Sequence, residues 1–156
     1  MVYTVTFNPA VDYIVHTKQL IAGATNRSDS EEIYFGGKGI NVSIVLSELG
    51  VKSKALGFVA GFTGEAIEKG VAEKGIDADF VHLNEGFSRI NVKIKSGEET
   101  ELNGQGPKIT DEAIRELYAK LDEIQDGDTL VLAGSIPSSL PADFYELSLI
   151  HISEPT

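Results

Sequence analysis

The chain has 156 residues, with 24 acidic side chains against 13 basic ones and a formal charge of −11. That field repels nucleic acid and anionic lipid over most of the surface, so neither is an expected partner. The absence of cysteine excludes disulfides and cysteine metal sites, and His16, His82 and His151 lack metal-ligand spacing.

No apolar run approaches the ~18 residues of a membrane span. The start, Met1-Val2-Tyr3-Thr4-Val5, carries no basic leader, so a cytoplasmic location is expected. The N-x-[ST] sequons at Asn26 and Asn41 are then chance matches.

Val2 to Phe7 is rich in β-branched and aromatic residues and predicts a strand. Asn8-Pro9 ends it, because a residue before proline is pushed out of the helical region. Asp12 follows closely, where ligands of open α/β sheets bind. It is a candidate to bond a polar ligand, or a capping or solvated aspartate. Tyr13–His16 predicts a short strand, 23–28 a loop, and Glu31–Phe35 a further strand.

That strand enters Gly36-Gly37-Lys38-Gly39-Ile40-Asn41. Glycines let a ligand approach the main chain, and a helix starting near Ile40 offers unpaired N–H groups. Together with the macrodipole and Lys38 they favour an anion; the alternative is a tight turn with a solvated lysine. A Walker A loop is excluded, since Lys38 is followed by Gly39 and Glu32 stands where its first glycine belongs. No G-x-G-x-x-G occurs.

The helix from Ile40 to Leu49 is apolar on several faces and is expected to be buried. A strand is predicted over Ser53–Val59, then a turn with Thr63 as N-cap, a helix over Glu65–Lys74 and a strand over Phe80–Leu83. This alternation argues a parallel sheet.

Arg89 to Lys95 then alternates polar and apolar residues, turns at Ser96-Gly97 and returns over Glu98–Leu102. Such a ribbon is unlike a buried parallel strand. With Tyr13–His16 and Glu31–Phe35 it forms an expected separate β-layer, a lid or an interface. Thr110 caps an amphipathic helix whose stripe is Ala113, Ile114, Leu117, Tyr118, Leu121 and Ile124. Thr129–Ala133 predicts a buried strand, followed by a second glycine turn, Gly134-Ser135-Ile136-Pro137, and a helix from about Pro141. Ser135 could donate to a ligand oxygen, or be a plain turn serine.

Five stretches stand in order: Thr6-Phe7-Asn8-Pro9-Ala10-Val11-Asp12, Gly36 to Val42, Ser88-Arg89-Ile90-Asn91-Val92, Asn103-Gly104-Gln105-Gly106-Pro107, and Ala133 to Pro137. The set resembles the ribokinase-like carbohydrate kinases, and within them the bacterial 1-phosphofructokinases and their tagatose-6-phosphate kinase relatives. The resemblance runs from Val2 to about Leu147 and covers the N-terminal half of that family. It implies an α/β fold: an open, mostly parallel sheet with helices on both faces, plus a small β-sheet lid built from about 13–18, 30–35 and 88–102. The lid would pair with that of a second subunit, making a homodimer.

The resemblance also implies roles. Asp12 would bind sugar hydroxyls, and Gly37, Gly39 and Asn41 would contact the sugar, with Asn91 beside them. Lys38, Arg89 and Ser135 would hold the sugar phosphate, with Arg27 contributing across the dimer. ATP and Mg2+ are the implied cofactors, transferring a phosphoryl group to fructose 1-phosphate, or alternatively to tagatose 6-phosphate or fructose 6-phosphate. The family's catalytic aspartate stands in a G-A-G-D motif of the C-terminal half, and this chain has no such motif. The ATP site would be missing with it, and residues from about Leu149 do not follow the family's helix. The expectation is a truncated chain that binds substrate without turnover, or a non-catalytic sugar-phosphate-binding module.

Overall fold

The computed structural model describes residues 1–134 and 136. Nine strands and three helices follow in order: β1 (Val2–Thr6), β2 (Ala10–His16), β3 (Ser30–Gly36), α1 (Lys38–Glu48), β4 (Ser53–Ala60), α2 (Gly61–Glu73), β5 (Asp77–Ala78), β6 (Val81–Leu83), β7 (Arg89–Lys95), β8 (Glu99–Asn103), α3 (Asp111–Leu121) and β9 (Thr129–Leu132), counted among the described residues. The helix expected near Pro141 lies outside them.

The strands make two sheets. The first is parallel, in the order β5-β4-β1-β9. The short β6 also pairs with β4, so β5 and β6 share one edge. Residues alternate between its faces, as a pleated strand requires. Tyr3, Val5, Leu56 and Phe58 point to one side, where they cluster with Leu117 and Leu121 of α3. Ala55 and Val59 point to the other and meet Ile40 of α1 with Ile67 and Val71 of α2. Helices thus cover both faces.

The amphipathic stripe predicted for α3 is the one that packs, and Thr110 caps it by accepting from Ala113 N at 3.2 Å. Burying a leucine contributes about 1.5–3 kcal/mol and a cap about 1 kcal/mol. Packing therefore holds α3 and the cap sets where it starts.

Three expectations are corrected. First, α1 is not buried all round. Only Gly39, Ile40 and Ser43 are buried, while Val45 is 52% and Leu49 72% exposed. It lies on the sheet by one face and partly through hydroxyls: Thr4 Oγ1 meets Ser43 Oγ at 2.7 Å, and Ser53 Oγ donates to Ser43 Oγ at 2.9 Å. Second, α2 starts at Gly61 with Ala60 as N-cap. Thr63 lies inside the first turn, and its hydroxyl donates to Ser88 O at 2.7 Å. Third, β2 begins at Ala10, so Asp12 lies on a strand rather than in a loop. Pairing on both sides, with β3 and β7, extends the strand back to Ala10.

The second sheet has the order β3-β2-β7-β8. Its central pair β2–β7 is parallel and the flanking pairs are antiparallel. Register sorts it into two faces. One carries the rows Tyr34–Asp12–Asn91–Asn103 and Glu32–Ile14–Lys93–Glu101; the other carries Ile33–Tyr13–Val92–Leu102. The alternation read from Arg89 to Lys95 is this division into polar and apolar sides.

Candidate functional site

The carboxyl end of β1, the start of α1 and the polar face of the second sheet enclose a cavity of about 460 Å3. A larger cavity of about 770 Å3 adjoins it and shares Asp12, Asn41 and Lys93, but lacks Lys38 and Arg89. The smaller one therefore has the chemistry of an anion site.

Its floor is built by close approach. Thr6 ends β1, and its Oγ1 accepts from Ile40 N at 3.0 Å. A Cβ on Gly37 would stand 2.4 Å from Thr6 Cγ2, and one on Gly39 2.4 Å from Thr6 Oγ1 and 2.7 Å from Val5 O. Gly37 also has φ 135°. Only glycine fits either position, and α1 can then begin at Lys38, two residues earlier than predicted. Its N-cap residue, Gly37, has no side chain to cap it. With Ile40 N taken by Thr6, the first-turn N–H groups of Lys38 and Gly39 remain as anion donors.

The second sheet supplies the wall. Asn91 is buried; its Nδ2 donates to Asp12 Oδ1 at 3.3 Å, and its Oδ1 accepts from Gly104 N at 3.1 Å. Asn103 stands in the same row. Arg89 Nε donates to Asn8 O at 3.0 Å. Burial pushes the guanidinium pKa below its ordinary value, and Asp12 opposes that shift. Lys93 stands 3.8 Å from Glu101, a long, partly exposed pair of little energetic weight. Three cations thus face two carboxylates in the cavity of a strongly acidic chain.

Of the residues singled out from sequence, Asp12, Gly37, Lys38, Asn41, Arg89 and Asn91 line this one cavity. Gly39 is buried behind it against β1. Arg27 lies on the exposed segment between β2 and β3 and does not line it. Ser135 is outside the described residues, while its neighbour Gly134 lines the cavity. Thr6, Asn8, Lys93, Glu101 and Asn103 also line it and were not singled out. Lys93 was legible as the next same-face residue after Arg89 and Asn91; Asn8 and Asn103 stand inside the first and fourth of the five ordered stretches.

The profile of pfkB family carbohydrate kinases matches residues 5–151. The chain is 54% identical over 146 residues to a 1-phosphofructokinase of Bacillus subtilis, covering 94% of this chain and 48% of that protein. It is 42% identical to a D-tagatose-1-phosphate kinase of Bacillus licheniformis, covering 98% of this chain and 50% of the relative. The chain thus spans about half the length of these relatives. The structure of Escherichia coli phosphofructokinase-2 in complex with fructose-6-phosphate superposes with a TM-score of 0.89 at 25% identity, over 98% of this chain and 51% of that one.

Proposed function

Because this chain belongs to the pfkB family of carbohydrate kinases, we propose that it supplies the sugar-phosphate-binding half of a kinase that converts fructose 1-phosphate to fructose 1,6-bisphosphate. The observation that carries this is the single cavity in which Lys38, Arg89, Asp12, Asn41 and Asn91 converge from three elements. The ligand phosphate lies between Arg89 and Lys38, with the N–H groups at the start of α1. A dianion suits a guanidinium fork, a lysine and oriented N–H donors. Asp12, Asn41 and Asn91 bond the sugar hydroxyls. Ser135 completes the phosphate contacts, and Arg27 reaches a partner's cavity from its exposed segment.

Kinases of this family generally use ATP with Mg2+. Among the described residues no three His, Cys, Asp or Glu side chains cluster to hold a metal, and of the two cavity carboxylates Glu101 faces Lys93 and Asp12 accepts from Asn91. We therefore assign the nucleotide, the metal and the catalytic base to the portion of the relatives that this chain does not span. What the present residues do is bind and orient the sugar phosphate, which is how positioning lowers a phosphoryl-transfer barrier.

Titrating the chain with fructose 1-phosphate, tagatose 1-phosphate, tagatose 6-phosphate and fructose 6-phosphate, read by thermal shift, tests this reading. Fructose 1-phosphate should stabilise most, Arg89→Ala should abolish the shift, and no ATP-dependent turnover should appear. A shift that survives Arg89→Ala removes the phosphate assignment. The tagatose 1-phosphate reading is favoured by the name of the Bacillus licheniformis relative and wins if that sugar stabilises more. We also assign a homodimer through the second sheet, supported by its uncovered apolar row, in which Ile33 is 59% and Leu102 72% exposed.

No helix among the described residues is long and apolar enough to cross a membrane.

A further inference from the structure

Asn8 has no role in the reading above, yet it joins three parts of the cavity wall. It lies two residues beyond the end of β1 and is only 5% exposed. Its backbone O accepts from Arg89 Nε at 3.0 Å. Its Nδ2 donates to Gln105 O at 3.0 Å, which fixes the orientation of the amide because a carbonyl can only accept. Its Oδ1 is buried without a partner among the described residues. Gly106, at φ 91°, presses on that oxygen so closely that a Cβ there would stand 2.3 Å away. A buried polar atom kept without a partner asks for a reason other than stability.

Arg89 supplies the reason. A free arginine side chain would sample many rotamers, and desolvation already works against its charge. Tying Nε to Asn8 O leaves the two terminal nitrogens, with four N–H groups, to face a ligand. The acceptor is a backbone atom, so its place depends on how the Asn8 peptide is held. Pro9 restrains it on one side, and the amide bond to Gln105 anchors it to the loop leaving β8. Resting on the phosphate role proposed for Arg89, we propose that Asn8 is a positioning residue that aims the Arg89 guanidinium at the ligand phosphate.

Asn8→Leu keeps the shape while deleting both the amide donor and the orphan oxygen. Asn8→Leu, Arg89→Lys and the double variant are compared with the native chain in fructose 1-phosphate affinity and melting temperature. Asn8→Leu should weaken binding about tenfold while the melting point stays near native, because the change removes orientation rather than packing. In the Arg89→Lys background, which lacks the guanidinium fork, the same change should cost less than about twofold, since residues that act through one another are not additive. Additive losses overturn the proposal, as does a fall in melting point that accounts for the lost affinity.

A ligand-independent arm follows the Arg89 Nε–H resonance, assigned by its loss in Arg89→Lys. It should exchange slowly with water in the native chain and quickly in Asn8→Leu. Slow exchange retained in Asn8→Leu also overturns the proposal. If the native chain fails to bind fructose 1-phosphate, the substrate reading falls while this arm still decides whether Asn8 holds Arg89.

Discussion

Gly39→Ala adds one methyl at the second residue of α1, where Gly39 is buried against β1. That methyl would stand 2.4 Å from Thr6 Oγ1 and 2.7 Å from Val5 O. Ordinary contacts lie at about 3.5 Å, so the start of α1 must lift by about 1 Å. Thr6 can turn its hydroxyl away only by giving up its bond to Ile40 N. Val5 O is backbone of a strand paired on both sides and has no freedom to move.

Overpacking of this kind costs about 1–3 kcal/mol, and alanine's better helix propensity returns at most about 1 kcal/mol. Because one of the two close contacts is with backbone, the upper part of that range applies, and the net loss is about 1–2 kcal/mol, a drop of roughly 2–8 °C in melting temperature for a chain of this size. Circular dichroism melts measure it directly. Fructose 1-phosphate affinity should fall by about tenfold or more as the N–H donors shift, since a hydrogen bond to a charged group is worth about 1.5–3 kcal/mol. An unchanged or raised melting point would refute the close approach of α1 to β1. An unchanged affinity in a destabilised variant would remove the start of α1 from the phosphate site.

Ile33→Glu and Leu102→Glu place charges at both ends of the apolar row of the second sheet. On the homodimer proposed through this sheet, sedimentation should show dimers for the native chain and monomers for the variant, and a dimer persisting in the variant would move the interface elsewhere. Glu32 accepts from Tyr34 OH at 2.6 Å and lies 2.6 Å from His16 Nε2. The Tyr34 bond, then the His16 bond, holds its carboxyl pKa below the ordinary glutamate value. A depressed folded-state pKa contributes stability above the unfolded value and loses it as pH falls through the folded one. Glu32→Gln should therefore be less stable than the native chain at neutral pH and converge with it as the pH falls below the ordinary glutamate range. Parallel urea midpoints across that range would contradict the network.

The division of labour between sequence and fold shows in particular residues. Thr6-Phe7-Asn8-Pro9 and Gly36-Gly37-Lys38-Gly39 announced a strand end and a glycine turn, because proline and glycine act locally through φ and through the absence of a Cβ. The period-two pattern of Arg89 to Lys95 announced a two-faced strand, since side-chain alternation is a property of the strand alone. The stripe of α3 was legible for the same reason.

Tertiary structure alone decided that β2 runs back to Ala10, because the bonds that extend it come from β3 and β7, distant in the chain. It alone set α1 on β1 and β4 through Thr4, Thr6, Ser43 and Ser53, although the apolar residues of α1 had suggested burial all round. A hydroxyl reads as surface until a partner strand arrives to bond it. The same holds for Asn8. Its contacts with Arg89, Gln105 and Gly106 span 81 to 98 positions of sequence, and no local pattern carries information over that distance. The rank of each residue within its own strand or helix was written in the chain. Which ranks meet across the cavity was decided by the packing of two sheets.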